Sequence, residues 1–203
     1  MRMRSVWALC GLIVMSACSG IEIYGTADNY APRVPYAIEV EMPPNALFIS
    51  EQFRKGRSQT GTDAHPGLDV WGPLLTPILA AGDGIVSESY YDPAFGNRVT
   101  VEHARLDNGD FRETRYFHLK ESLVRVGQRV SRGEEIGKMG ATGALGMLVH
   151  LHYEVREGPT KSRLEEKDPN LFWVRGIGKV TCFDPIYNTP EYRDLYTYPV
   201  KCK

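Results

Sequence analysis

One seven-residue run constrains this chain more than any other: Val149-His150-Leu151-His152-Tyr153-Glu154-Val155. Branched and aromatic residues dominate it, and neither Gly nor Pro interrupts it, which predicts a β-strand. Alternation along a strand puts His150 and His152 on one side and Leu151 on the other. Two imidazoles held side by side on a rigid element are the start of a metal site. Two core or surface histidines would also read this way, so the remainder of the chain decides.

The sequence around this run is strand-like throughout. Pro77–Ala81 and Gly84–Tyr90 are short apolar or alternating runs. Asn97–His103 alternates, and Asp107-Asn108-Gly109-Asp110 is a hairpin-turn signal leading into Phe111–Leu119. Glycines at turn spacing divide Val124–Gly137 into short strands. No amphipathic helix of ten or more residues stands out, so a mostly β domain, sheet-like or barrel-like, is expected over 46–174. Asp168-Pro169 reads as a turn, with Leu171-Phe172-Trp173 returning to the core.

The chain has only five histidines. His65-Pro66-Gly67-Leu68-Asp69 is too rich in Pro and Gly for a helix and reads as a turn entering a strand, where His65 and Asp69 can converge. Imidazole plus carboxylate suits Zn²⁺. On its own the segment would be an ordinary polar surface loop. Adding one histidine of the opening strand gives three protein ligands, the number that leaves a catalytic zinc an open position; structural zinc usually has four. His118 closes the strand-like Arg115-Tyr116-Phe117-His118-Leu119. It could be a satisfied core or surface histidine, or it could act beside the metal. His103 is expected to cap a strand or line a groove edge, and Tyr116 and Tyr153 to pack.

The order His-x-Gly-x-Asp, Tyr-x-His-Leu, His-x-His-Tyr-Glu-Val resembles the lysostaphin/LytM-type zinc metallopeptidases, which cleave peptide bonds in bacterial peptidoglycan. Ala80-Ala81-Gly82-Asp83-Gly84-Ile85-Val86, Gly96–His103 and Val126–Gly137 are similar to further family motifs. The resemblance runs from about Phe48 to Trp173. It implies an antiparallel β-sheet groove, duplicated-hybrid-motif-like, with Zn²⁺ on His65, Asp69 and His152. It also implies His118 and His150 as catalytic residues flanking a metal-activated water and the scissile carbonyl, with the division between those two left open. One departure stands out. The family usually has Gly-x-Ser-Thr-Gly-Pro-His before the His-x-His strand, and here the segment is Gly143-Ala144-Leu145-Gly146-Met147-Leu148-Val149-His150. This longer apolar loop is expected beside the groove, where it bears on substrate preference.

The N-terminus reads as a secretory signal: basic Met1–Arg4, an apolar run from Val6 to Met15, then Met15-Ser16-Ala17-Cys18. A small-residue pair before Cys resembles a bacterial lipobox, so residues 1–17 are expected to be removed and Cys18 lipidated. An ordinary cleaved signal with an incidental Cys is the alternative. Residues 18–45, punctuated by Gly and Pro, are expected to be a lipid-anchored linker. Removal of 1–17 also removes Arg2, Arg4 and Cys10, taking the formal charge from −1 to −3. Cys182 and Cys202 are then left in an oxidising compartment, which predicts a disulfide in the C-terminal extension 175–203. A metal-binding Cys pair lacks partners at ligand spacing.

Together these readings predict a zinc metalloendopeptidase of the cell envelope, anchored to the outer membrane and facing the periplasm. Its substrate would be the peptide cross-links of peptidoglycan, at a D-alanyl bond to diaminopimelate. The near-neutral charge and the absence of a basic block argue against nucleic acid as a partner. The alternative from another class is a non-enzymatic wall-binding or amidase-activating module, against which the full set of candidate ligands counts. A biotinyl/lipoyl-like barrel would need a modifiable Lys at a hairpin tip, and none is found.

Overall fold

The computed structural model describes residues 38–55 and 64–202. The signal segment, Cys18 and most of the expected linker lie outside the described residues. Among the described residues the strands are β1 (Ile49–Glu51), β2 (Leu68–Trp71), β3 (Pro77–Leu79), β4 (Gly84–Asp92), β5 (Gly96–Glu102), β6 (Phe111–Leu119), β7 (Glu121–Ser122), β8 (Arg129–Val130), β9 (Glu135–Lys138), β10 (His150–Gly158) and β11 (Glu165–Lys167). Helical structure there is limited to four three-residue 3-10 turns.

Eight strands form one sheet in the order β1-β2-β10-β6-β5-β4-β8, with β11 also on β10; β3, β9 and β7 form a second. Every strand pairing is antiparallel. Strand β10 is central: it pairs β2 through His150–Tyr153 and β6 through His152–Gly158. Its alternation splits it cleanly. Leu151, Tyr153 and Val155 enter the apolar core, joined by Leu68 and Val70 of β2, Tyr116 of β6 and Val99 and Val101 of β5. His150, His152 and Glu154 take the other face.

The C-terminal segment supplies part of the core, beside Ile78 of β3 and Ile136 of β9. Trp173, Val180, Tyr196, Tyr198 and Val200 are all in the core cluster. Trp173 Nε1 donates to Asn170, itself buried, which satisfies the indole that burial would otherwise leave unpaired. Val200 bridges to Ile78 of β3, and Glu41 bridges to Lys179, so that Val40 and Met42 also pack against the core. A Cys182–Cys202 disulfide with a Cα–Cα distance of 5.9 Å ties the ends of this segment together.

Candidate metal centre

Antiparallel register brings the first two parts of the site together. His152 of β10 stands opposite Asp69 of β2, so both side chains project from the same face. His65 reaches them from the turn before β2, which is pinned by a pair of backbone hydrogen bonds between His65 and Arg54. Gly67 makes this possible. Its φ is not in the left-handed region; the requirement is space, because a Cβ there would collide with the Tyr153 carbonyl oxygen of β10.

His65, Asp69 and His152 each present one ligand atom to a common point. Nε2 of His65 lies 3.2 Å from Oδ1 of Asp69 and 3.2 Å from Nδ1 of His152. The third edge, Asp69 Oδ1 to His152 Nδ1, is 2.7 Å. Donors bound to one tetrahedral zinc sit about 3.3 Å apart, from bond lengths of about 2.0–2.2 Å. Two edges thus match, and the third closes by a few tenths of an ångström as a hydrogen bond. The nitrogen–oxygen donor set is one zinc takes. Burial would raise the Asp69 carboxyl, but hydrogen bonds from His152 and His65 outweigh it and hold the group far below the usual carboxylate range. For His152, burial acts downward, and Asp69 and Glu154 on its two sides reverse this and raise it. The cluster is built to hold positive charge.

His118 and His150 sit beside the three. Their rings are 4.7 Å apart, and the His118 ring is 6.3 Å from that of His152. His150 Nε2 approaches Asp69 Oδ1 to 3.8 Å. Simple alternation does not place His118 here. Phe117 shares the His152 face, so the next residue should turn to the core beside Tyr116. Instead His118 has φ 61°, a left-handed conformation that few non-Gly residues adopt, and its ring swings round to His150. Its N–H donates to the Phe95 carbonyl, and its Nδ1 donates to the Thr142 carbonyl at 3.0 Å. Burial, with some help from His150 and His152, lowers it to about 4 against that hydrogen bond.

The unusual loop forms one wall of the site. A Cβ on Gly146 would collide with the Thr142 carbonyl and come within 2.9 Å of His118 Nδ1, so this glycine lets the loop close on the ring. Leu145, Met147 and Leu148 are exposed, as is Trp71, the register partner of His150. His103 is elsewhere. It is buried on the core side of the sheet, between the Asp83 carbonyl and Thr114 Oγ1, with its ring 4.9 Å from that of Tyr196. Tyr116 and Tyr153 are fully buried core residues. Sequence reasoning did not single out Glu154, whose Oε1 lies 3.2 Å from His152 Nε2. Its position two residues after His152 was the available signal.

Comparison with known proteins agrees with this geometry. Over 109 residues, 52% of this chain, the sequence is 44% identical to the peptidoglycan DD-endopeptidase ShyC of Vibrio cholerae, and the match covers 24% of that protein. Over 135 residues, 66% of this chain, it is 38% identical to the cell division protein DipM of Caulobacter vibrioides, covering 20% of it. The chain therefore spans about a quarter or less of these relatives. Among solved structures, LytU aligns over 74% of this chain and 92% of its own, with a TM-score of 0.51 and 28% identity. A zinc-containing peptidase from Vibrio cholerae aligns over 64% of this chain and 39% of its own, with a TM-score of 0.50 and 31% identity. A match to peptidase family M23 extends over residues 63–165, more than half of the chain and every histidine and carboxylate of the centre, and the protein belongs to that family.

Proposed function

We propose that this protein is a zinc-dependent endopeptidase that hydrolyses the peptide cross-links of bacterial peptidoglycan. One observation carries the reading. A His-Asp-His donor set converges on one point, and two further imidazoles stand beside it. His65, Asp69 and His152 would hold the ion. Bound there, zinc supplies Lewis acidity toward a carbonyl oxygen and brings the acidity of water toward neutrality.

The chain's own residues do the rest. His118 and His150 each donate Nδ1–H to a backbone carbonyl, of Thr142 at 3.0 Å and Leu148 at 2.8 Å. Each therefore presents a bare Nε2. That atom can take a proton from the attacking water and, once protonated, donate it to the oxyanion or the departing amine. The carbonyl anchors fix tautomer and direction before substrate arrives. The exposed apolar side chains of the 145–148 stretch and Trp71 border the site and would meet the substrate strand. The target bond in this proposal is a D-alanyl bond to diaminopimelate; the name of the relative ShyC, a peptidoglycan DD-endopeptidase, supports a DD-type cross-link bond. A lipid anchor at Cys18, holding the domain at the outer membrane and facing the periplasm, belongs to the same proposal and rests on the sequence of residues 1–18.

Zinc-loaded mature protein should convert cross-linked muropeptides from sacculi into uncross-linked ones. A chelator should stop the reaction and added zinc restore it. Sacculi and muropeptide dimers left intact by the zinc-loaded protein would rule the proposal out.

A further inference from the structure

Each of the four rings at the centre has one nitrogen anchored away from it. His65, His118 and His150 use Nδ1, which donates to the carbonyls of Gln52, Thr142 and Leu148 at 2.9, 3.0 and 2.8 Å. These anchors are neutral backbone groups on loops. His152 is inverted. Its Nδ1 faces Asp69 and His65, and its Nε2 is 3.2 Å from Oε1 of Glu154.

Glu154 is buried, only 5% exposed, on the metal-facing side of β10. A buried carboxylate is costly unless a charge or hydrogen bond meets it. Among the described residues, His152 is its only hydrogen-bond and ion-pair partner. Its cross-strand neighbour on β6, Arg115, donates to Glu113 instead, at 2.7 Å. The turn that supplies His65 and Asp69 runs close to this side chain: a Cβ on Gly67 would lie 3.1 Å from Glu154 Cγ.

We infer that Glu154 is a positioning residue of the metal centre: it accepts Nε2–H of His152, fixes the tautomer whose Nδ1 lone pair faces the ion, and sets the orientation of that ring. It touches neither metal nor substrate. In a paired strand the backbone carbonyls point toward the neighbouring strands while side chains leave the sheet, and His152 lies in the β2–β10–β6 pairing. A side chain two residues on along the same strand is the acceptor that alternation supplies. The inference rests on the zinc reading given above.

Zinc dissociation constants of the full chain, measured by competition with a chromogenic chelator, test it. Glu154→Leu should bind zinc about 10–100-fold more weakly. Glu154→Gln keeps an acceptor oxygen without the charge, so it should lose less and retain the tautomer. Melting of the metal-free variants separates this from a fold defect. The second readout is ¹⁵N–¹H correlation of the imidazoles in zinc-loaded wild type, where His152 should carry its proton on Nε2. That measurement stands even if Glu154→Leu does not fold. A proton on Nδ1, or unchanged zinc affinity in both variants, overturns the inference. Wild type that binds no zinc overturns the zinc reading instead.

Discussion

His103 and His118 are both buried and both lowered to about 4, yet they occupy opposite faces of the sheet. For His103 the main cause is burial; Arg112 and Arg132 add to it, and the Asp83 carbonyl and carboxylate oppose it. Because its folded value lies below 6.5, the unfolded chain binds the extra proton between about pH 6.5 and 4. This contribution to stability is complete above about pH 6.5 and is lost as pH falls toward 4. The shift corresponds to about 3 kcal/mol. Urea unfolding at about pH 7 and pH 4.5 should therefore show a steeper acid loss for wild type than for His103→Gln, and equal slopes would contradict this origin. At this scale the sequence revealed residue types well. Chemistry and alternation made His65, Asp69 and one of the pair His150 and His152 readable as a donor set, and the family resemblance singled out His152. Ring direction was not, because the anchors of His65 and His118 are carbonyls of Gln52 and Thr142, 13 and 24 residues away along the chain. The placement of His118 depends on a left-handed φ that interrupts the alternation from which it would be predicted.

Strand β10 is where local pattern and tertiary pairing agree. The expected run begins one residue before the observed strand and stops three short of its end, and the expected Phe111–Leu119 matches the observed β6. The pairing of β10 with β2 was not readable, since it joins residues 83 apart. Gly67 shows what that pairing demands. No side chain fits between the His65–Asp69 turn and the β10 backbone. Gly67→Ala should cost about 1–3 kcal/mol of stability by overpacking. It should also weaken zinc binding, because relief requires the turn to move off β10 and carries Asp69 with it. Denaturant unfolding and zinc titration of this variant check both. An alanine variant with native stability and affinity would mean the turn has room that the geometry denies.

At the scale of the whole molecule, the sheet has one chemical face and one structural face. The chemical face carries the metal centre. On the structural face, Trp173, Val180, Tyr196, Tyr198 and Val200 are supplied by chain beyond the last strand. Composition hinted at this only through the tyrosines and the cysteine pair. Replacing Cys182 and Cys202 by Ser should lower stability by about 3 kcal/mol, the scale for a loop of this length. Zinc affinity should stay unchanged, since the bridge acts on the face away from the centre. Loss of zinc in the reduced-stability range would show that the two faces are coupled. The central claim concerns the division of labour on the chemical face: His152 holds the ion and His150 works beside it. Zinc content and cross-link hydrolysis, measured in parallel for wild type, His150→Ala and His152→Ala, test it most directly. His152→Ala should lose both zinc and turnover, whereas His150→Ala should keep its zinc and turn over about 10²–10⁴-fold more slowly. Equal loss of zinc in the two variants would contradict the account.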